Sequence, residues 1–363
     1  MVKSVYFICC SPSQPERTGY EHQILSIAEG LNCLGVMSYC NINYWRERES
    51  ECSYVIKNNP SISFKECDVV VFSSNFLSTE GIGNLPKKLF DKGRKYKLIF
   101  IDQADGVVTP GFDIHNEVDI VLKSHYNLKY NYPRNFRPWQ FGLTNRIINA
   151  TLPERVTTRN NDILVNFRVK HSTREIASKW ILPVIGKYLT PNEATESLTE
   201  NVSNLDRLFW QQTGRRHYAS YYRRLNSSTA CACFGGYFQK SIPFQQNKIG
   251  YFLSHLDYKF KIFSFNKVYQ YDSWRFWESL VAGCCTFHID LERYGAVLPV
   301  MPINGIHYLG VDFNNPSTFE KQLAKGIEHL HKIGEQGRAW VLENYSPKAT
   351  AERFLDLIKS FSN

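Results

Sequence analysis

Short runs of consecutive apolar residues alternate with helical patterns along the first half of this 363-residue chain, and this alternation constrains the fold more than any other feature. Apolar residues recur on one stripe of the segment 20–34, which predicts a helix there. The predicted strands of this half are residues 2–10, 36–42, 68–73, 97–102 and 119–123. Strands without polar alternation are buried on both faces, so we predict a parallel sheet covered by helices.

A proline-rich stretch divides the chain. Residues 130–158 hold three prolines among many polar residues, a composition typical of an interdomain connection. The alternation then resumes, with predicted strands at 162–169, 230–234 and 284–289 and predicted helices at 175–188, 272–282, 316–333, 334–343 and 347–361. The chain is too long for one ordinary core, and its two α/β units could form one large sheet or two facing domains. The proline-rich middle favours two, so we predict Rossmann-like α/β domains at residues 1–155 and 156–345, with a cleft between them and a closing helix at 346–363.

The charge balance points to an anionic partner or to a basic solvated surface, and composition alone leaves both open. Lysine and arginine total 43 against 34 acidic residues, a formal charge of +9. A nucleoside diphosphate and an anionic membrane surface both suit this sign of charge. The basic residues come in short clusters, without the long tract that favours nucleic acid. We therefore predict no nucleic-acid partner and leave peripheral membrane contact open.

The ten cysteines predict a reducing compartment. None of them forms a Cys-x-x-Cys motif, so a zinc ribbon is unsupported. A chain of this size needs no disulfide framework, and we interpret the cysteines as buried thiols. The apolar start of the chain is too short for a signal peptide, and no apolar run reaches 18 residues. These features predict a cytoplasmic location.

Residues 271–288 hold the polar side chains with the clearest chemical meaning. Asp272 or Ser273 is placed to cap the predicted helix, whose first backbone N–H groups suit a phosphate. Arg275 lies in the same turn and suits a diphosphate. Glu278 follows one turn later, and its carboxylate suits a ribose diol. The alternative is a plain amphipathic helix with Glu278 on its solvated face.

This segment resembles part of the carboxy-terminal half of GT-B glycosyltransferases, especially the exostosin-like and group-one-like families. The shared pattern is an arginine, then Glu-x-Leu-x-Ala/x-Gly, then a small residue or cysteine and an apolar strand, here running from Arg275 through Glu278 and Gly283. Residues 221–236 and 344–354 are similar to the family segments that precede and follow the motif. The resemblance covers roughly residues 220 to 360.

The resemblance implies a donor site in the second domain. It implies that Glu278 binds the nucleotide ribose, that Arg275 and Ser273 lie near the diphosphate, and that the closing helix crosses back to the first domain. Many retaining members carry another glutamate eight positions before the ribose glutamate, where this chain has Gln270. That departure leaves the stereochemical outcome open.

Further donor contacts are expected at two strand ends. Similar enzymes place an arginine or lysine after the first strand of the second domain, and Arg168 and Lys170 resemble that pair, with Arg174 as a substitute. A cation there would stabilise the leaving nucleoside diphosphate; the alternative is a solvated strand end. In the first domain, Gly19 lets the backbone approach a ligand between the first strand and the first helix.

Four side chains are candidates for the general base that an inverting enzyme needs. Glu21 and His22 begin the first helix, and Asp102 and Asp105 follow a predicted buried strand. Each has a structural alternative, such as a helix-start charge for Glu21 or an ordinary turn at Asp105. The Asp-x-x-Asp spacing differs from the Asp-x-Asp metal motif of the other major glycosyltransferase fold. We therefore expect no essential metal and no cofactor besides the nucleotide-sugar co-substrate.

Together these features predict a glycosyltransferase that moves a sugar from a nucleoside-diphosphate sugar, with UDP or GDP as the nucleotide, to an acceptor hydroxyl. The acceptor, which the first domain would hold, is a glycan, a lipid, a protein or a small molecule. A sugar-nucleotide epimerase on the same fold, a non-catalytic nucleotide-sugar-binding module and, more weakly, a nucleic-acid binder are the alternatives.

Overall fold

A computed structural model of the chain describes residues 2–10, 20–48, 54–107, 113–151, 159–167, 172–193, 202–236, 238–239 and 267–361. Its strands are β1 Ser4–Phe7, β2 Met37–Cys40, β3 Tyr44–Arg46, β4 Tyr54–Asn58, β5 Val69–Ser73, β6 Lys97–Asp102, β7 Ile120–Lys123, β8 Phe136–Pro138, β9 Asn160–Val165, β10 Thr190–Glu193, β11 Ser228–Ala232, β12 Phe238–Gln239, β13 Lys267–Val268, β14 Cys285–Ile289 and β15 Leu309–Val311. Its α-helices are α1 His22–Cys33, α2 Ser74–Thr79, α3 Asn145–Ala150, α4 Ser172–Ile176, α5 Leu182–Ile185, α6 Asn204–Gln212, α7 Ala219–Ser227, α8 Trp274–Val281, α9 Pro316–Gly326, α10 Leu330–Tyr345 and α11 Pro347–Ser360.

The first sheet has eight strands in the order β3-β4-β2-β1-β5-β6-β7-β8. Every neighbouring pair is parallel except β3 with β4. All five residues of β5 are buried, as the run of four apolar residues from Val69 to Phe72 predicts. The edge strand β8 lies inside the stretch 130–158, so the segment predicted as a connection begins with the last strand of the first sheet. Pro138 is tolerated there because an edge strand leaves one row of backbone groups unpaired.

The second sheet has five parallel strands in the order β10-β9-β11-β14-β15. A small antiparallel pair, β12 with β13, lies apart from it. One hydrophobic core surrounds this sheet, and two others cover the faces of the first sheet. The predicted mixed α/β fold with two mainly parallel sheets is therefore confirmed.

The last helix, α11, packs against α1 beneath the first sheet. Ala351, Phe354 and Ile358 of α11 belong to a core of that sheet. Gly30 of α1 allows the close approach, because a Cβ at this position would overlap the carbonyl oxygen of Pro347. The chain thus returns to its first sheet after completing the second.

Two predicted helices differ in their boundaries. The single helix predicted over 175–188 is wrong, because the segment divides into α4, a π-helical turn at Ala177–Ile181 and α5, with Pro183 in the first turn of α5. The predicted boundary at Gly334 is also wrong, since α10 runs through it. A Cβ on Gly334 would overlap the backbone of Gly283, so this glycine serves close packing of α10.

The described cysteines are free thiols, and all of them are buried except Cys33. Cys231 Sγ lies 3.6 Å from Cys233 Sγ, within and just after β11. None of the helices in the described ranges combines the length and the apolar composition that a membrane span requires.

Candidate active site between the two sheets

The loops at the carboxyl ends of the two sheets meet. After β7, the ring nitrogen Nδ1 of His125 accepts hydrogen bonds from the backbone N–H groups of Tyr271 at 3.2 Å and Asp272 at 3.1 Å. After β6, Asp105 Oδ1 accepts from Gln270 Nε2 at 2.5 Å. Ligands bind beyond the carboxyl ends of strands in such sheets. These contacts therefore place the candidate site at the junction of the two domains.

His125 is suited to accept these two backbone hydrogens. Burial, followed by the nearby charge of Lys123, holds its pKa well below the usual range, so its imidazole is neutral. Its φ of 55° lies in the left-handed region, which turns the chain sharply after β7. The neutral ring thus fixes the segment that leads into α8.

Asp272 anchors the start of α8 to the first domain. Its Oδ2 accepts from the backbone N–H of Phe141 at 2.8 Å, and its Oδ1 accepts from Trp277 Nε1 at 2.6 Å. Burial raises the pKa of Asp272 to about 7. Ser273 occupies the N-cap position, but its hydroxyl makes no capping hydrogen bond.

Glu278 lies inward on α8 with only 4% of its surface exposed, so the alternative of a plain amphipathic helix with Glu278 on its solvated face is wrong. Its Oε1 accepts from the hydroxyl of Tyr222 at 2.7 Å, and its Oε2 accepts from the hydroxyl of Tyr221 at 3.1 Å. Arg275 lies one turn earlier and is half-buried. Its guanidinium makes no hydrogen bond within the described residues, which leaves it available for an anion.

A buried arginine lies behind these tyrosines. Arg146 of α3 donates from Nη1 to the hydroxyl of Tyr222 at 2.7 Å and to His217 Nδ1 at 2.8 Å. Its guanidinium carbon lies 5.8 Å from the ring centre of Tyr20, at the start of the first domain's α1 segment. Burial lowers the pKa of His217 to about 4, so this ring is neutral and accepts the hydrogen bond.

Asp105 is the exposed member of the four candidate bases. It follows β6 and faces Gln270 of the second domain. The next residue, Gly106, has a φ of 108°, and a Cβ there would overlap the ring of Tyr269. Glycine is therefore required for this close interdomain approach.

Asp102 forms a buried ion pair. Its Oδ2 lies 2.9 Å from Lys123 Nζ, and both side chains are fully buried. The same ammonium donates to the carbonyl oxygen of Gly106 at 2.8 Å. Asp102 and Lys123 thus support the turn that presents Asp105. Within the described ranges, no cluster of three or more His, Cys, Asp or Glu side chains is arranged to hold a metal ion.

Glu21 joins the carboxyl ends of three strands. Its carboxylate accepts from Cys10 Sγ after β1, from Ser73 Oγ at the end of β5, and from Gln103 Nε2 after β6. The side chain is fully buried, and burial raises its pKa despite these donors. In this arrangement Glu21 has a structural role, because it ties three strand ends together.

His22 is enclosed by aromatic rings. Its Nδ1 lies 2.9 Å from the hydroxyl of Tyr20, and its Nε2 lies 3.1 Å from the carbonyl oxygen of Gly142. The ring stacks on Trp274 of the second domain at 5.5 Å. Burial lowers its pKa to about 3. Both ring nitrogens are thus engaged in this arrangement.

Three predicted donor contacts, Gly19, Arg168 and Lys170, lie outside the described residues. The substitute Arg174 lies near the carboxyl end of β11, where its Nε donates to the carbonyl oxygen of Phe234 at 3.1 Å.

Sequence reasoning missed Arg146 and Trp274. It included Tyr221 and Tyr222 in a similar segment without assigning them a role. The adjacent tyrosines on α7 were the available signal, because Tyr hydroxyls in a core need a polar partner.

Similar folds occur among solved glycosyltransferases. An α-glucosyltransferase solved with UDP and a 13-mer DNA gives a TM-score of 0.51 at 10% identity, over 99% of this chain and 99% of that chain. A glycosyltransferase from Rickettsia africae gives 0.50 at 10% identity, over 99% and 98%. HepE from Anabaena, solved with UDP, gives 0.49 at 9% identity, over 99% and 100%.

The sequence comparisons give no match, either to a protein-family model or to a curated protein. The identities to the solved structures are low, so the likeness to the α-glucosyltransferase and to the Rickettsia enzyme concerns the fold alone. The chain has the two-sheet α/β fold of GT-B glycosyltransferases.

Proposed function

We propose that this protein is a glycosyltransferase that moves a sugar from a nucleoside-diphosphate sugar to an acceptor hydroxyl. The observation that carries the proposal is the buried carboxylate of Glu278, held by two tyrosine hydroxyls one turn after the available guanidinium of Arg275. Both lie where the two sheets meet, in a chain with a glycosyltransferase fold. We also propose that residues 220–360 are related to the exostosin-like and group-one-like families of GT-B glycosyltransferases.

The donor roles follow from the chemistry of each group. Glu278 accepts hydrogen bonds from the ribose diol, and Arg275 with Ser273 holds the diphosphate at the start of α8. Arg168, Lys170 and Gly19 stay predicted donor contacts. The α-glucosyltransferase with this fold was solved with UDP, so UDP is the first nucleotide to test.

Asp105 is our choice for the general base. It is exposed between the two sheets, whereas Glu21, His22 and Asp102 are buried. A general base must reach the acceptor hydroxyl directly or through one water. A glycan, a lipid, a protein or a small molecule is the acceptor we propose. An oligonucleotide belongs in the acceptor panel because the α-glucosyltransferase was solved with DNA.

We propose further that the reaction needs no metal ion or additional cofactor and takes place in the cytoplasm. The Asp102–Lys123 ion pair supports the first point, because it commits one carboxylate of the Asp-x-x-Asp sequence to an internal cation. Peripheral contact with a membrane is compatible with the +9 formal charge.

The experiment that tests the donor site is thermal unfolding with UDP, GDP, dTDP, ADP and CMP. A nucleotide at a hundred times its dissociation constant stabilises the native state by roughly 2.7 kcal/mol. We expect one nucleotide to raise the melting temperature of the wild type and Glu278→Ala to lose most of that shift. Glu328→Gln, which alters an exposed side chain between α9 and α10, is the control. No shift with any nucleotide would contradict the donor site.

A non-catalytic nucleotide-sugar-binding protein is the alternative that one contact favours. Gln270 occupies the position of the glutamate in many retaining enzymes and donates to Asp105, the proposed base. Such a protein binds nucleotide but releases no nucleoside diphosphate from the sugar nucleotide with any acceptor. An epimerase instead changes the sugar nucleotide without an acceptor, so product analysis with and without acceptor separates the three activities.

A further inference from the structure

Arg146 carries a buried positive charge that lacks a directly bonded counter-ion. Only 3% of its surface is exposed, and its guanidinium stays protonated at any physiological pH. Among the described residues it forms no ion pair with a carboxylate, and its Nε and Nη2 have no hydrogen-bond partner. Burying an uncompensated charge is costly. The cation must therefore be balanced by an acidic group that it reaches through an intermediate.

Tyr222 is one such intermediate, and Glu278 is the acidic group beyond it. The hydroxyl of Tyr222 accepts from Arg146 Nη1 at 2.7 Å and donates to Glu278 Oε1 at 2.7 Å. A tyrosine hydroxyl has one hydrogen. Because the guanidinium can only donate, that hydrogen is directed at the carboxylate. Arg146 thereby fixes the polarity of the contact that holds Glu278.

The second carboxylate oxygen is held in the same way. Tyr221 donates to Oε2 at 3.1 Å, so each oxygen of Glu278 accepts one internal hydrogen bond. An ionised carboxylate offers about four acceptor positions. One position on each oxygen is left for a ligand, and two hydroxyls of a ribose diol match this pair. The tyrosines thus fix the plane of the carboxylate before the nucleotide arrives.

The charges within the cluster support the same assignment. Burial works against the charged form of Arg146, yet the neighbouring Tyr222, Tyr20 and Glu278 together raise its pKa. His217 also accepts from Arg146 Nη1, and its other ring nitrogen lies 3.0 Å from Asp206 Oδ1. The Nη1 group thus donates to both His217 and Tyr222, and these two acceptors fix its direction.

We propose that Arg146 and Tyr222 are positioning residues that orient the Glu278 carboxylate for the ribose diol, and that they thereby set selectivity for ribonucleotides over 2′-deoxyribonucleotides. This inference rests on the proposed function, in which Glu278 meets the ribose. Neither positioning residue touches the nucleotide. Their effect is therefore expected in the preference between two nucleotides that differ by a single hydroxyl.

The test is isothermal titration of the full-length protein with UDP, GDP and their 2′-deoxy counterparts. The wild type should prefer the ribonucleotide by about tenfold or more, the factor that one hydrogen bond to a charged group contributes. Tyr222→Phe and Arg146→Lys should reduce this ratio toward one, because they should weaken the ribonucleotide, which has two hydroxyls for Glu278, more than the 2′-deoxy nucleotide, which keeps one. Tyr54→Phe, in the first sheet, should leave the ratio at its wild-type value.

The other outcomes separate the inference from the function on which it rests. A ratio that persists in Tyr222→Phe and Arg146→Lys but disappears in Glu278→Gln would overturn the positioning role and leave the donor site intact. Equal weakening of both nucleotides, together with a lower melting temperature, would show a merely structural role. Absence of binding of UDP and GDP to the wild type would overturn the donor site and the inference with it.

Discussion

Asp105 combines exposure with a position between the two sheets. Its turn rests on the buried Asp102–Lys123 ion pair, and its carboxylate meets Gln270 of the second domain. A carboxylate in such a place can receive a proton from an acceptor hydroxyl without any rearrangement of a core.

Asp105→Asn should therefore lower the rate of transfer while nucleotide binding stays unchanged. General-base catalysis contributes typically 10²- to 10⁴-fold, so we expect a loss of at least about a hundredfold in kcat. Release of nucleoside diphosphate in the presence of acceptor measures the rate, and titration with nucleotide measures binding. Asp91→Asn, on an exposed loop, is the matched control. A wild-type rate in Asp105→Asn would remove Asp105 from the mechanism.

A second acidic residue, Glu29 of α1, makes stability depend on pH. Burial raises its pKa to about 8 from the usual 4.5. Between these two values the native state keeps a proton that the unfolded chain has released, so the free energy of unfolding falls as pH rises. Its Oε2 accepts from the backbone N–H of Asn145 at 2.7 Å, a contact that a glutamine oxygen can replace.

We therefore expect Glu29→Gln to become more stable than the wild type as pH rises from about 4.5 to about 8. The gain should reach at least about 1 kcal/mol at the upper end of that range. Urea unfolding at several pH values measures it, with the exposed Glu328→Gln as control. A difference that is constant over the whole range would contradict the buried, protonated state of Glu29.

At this scale the sequence identified acidic side chains near strand ends but did not separate exposed from buried ones. Glu21, for example, accepts hydrogen bonds from side chains 11, 52 and 82 residues away in sequence. Its burial depends on how three strands align, which no local pattern specifies. Arg146 was missed for a similar reason, because its partners His217 and Tyr222 come from distant parts of the chain.

At the scale of elements, the contact between α1 and α11 depends on one missing side chain. Gly30 faces the backbone of Pro347 and the side chain of Ala351. Gly30→Ala should destabilise the native state by about 1–3 kcal/mol, because the added methyl forces the two helices apart. Chemical unfolding measures the change.

Gly326→Ala provides a helical comparison for that substitution. Nothing lies within 4 Å of the position of its Cβ, and its φ is not in the left-handed region. Alanine there should leave stability unchanged or raise it by up to about 1 kcal/mol. Equal effects of the two substitutions would mean that α1 and α11 do not pack closely.

Buried strands were predicted more accurately from the sequence than exposed ones. β5 and β6 were predicted within a residue because unbroken apolar runs indicate strands buried on both faces. The edge strand β10, Thr190–Glu193, was missed because its residues are polar and none is buried. The helix predicted over 175–188 contained Pro183, and the α-helix is interrupted there because this proline removes a backbone donor where the π-helical turn meets α5.

At the scale of the whole molecule, the two sheets are joined by backbone contacts that tolerate little change. Gly106 combines a left-handed φ with close contact to Tyr269 of the second domain. Gly106→Ala should displace the Asp105 turn from Gln270 and lower the rate of transfer at least about tenfold, with nucleotide binding at α8 preserved.

Gly81→Ala is the control for Gly106→Ala, because it introduces backbone strain at a position without an interdomain contact. Its φ of 86° is also left-handed, but nothing lies within 4 Å of its Cβ position. This variant should lose some stability and keep its rate of transfer. Parallel losses of activity in both variants would attribute the effect of Gly106→Ala to strain alone.

The return of α11 to the first sheet has a consequence for how the chain is made. The amino end of a chain leaves the ribosome first, so the first sheet emerges before the second. However, a core of the first sheet is filled in part by the late residues Ala351, Phe354 and Ile358. That core cannot be completed until residues 351–358 have been synthesised, which follows the synthesis of every strand of the second sheet. The apolar face of α1 that receives these side chains therefore stays exposed while the second sheet is synthesised. We expect a chaperone of nascent chains to bind this surface.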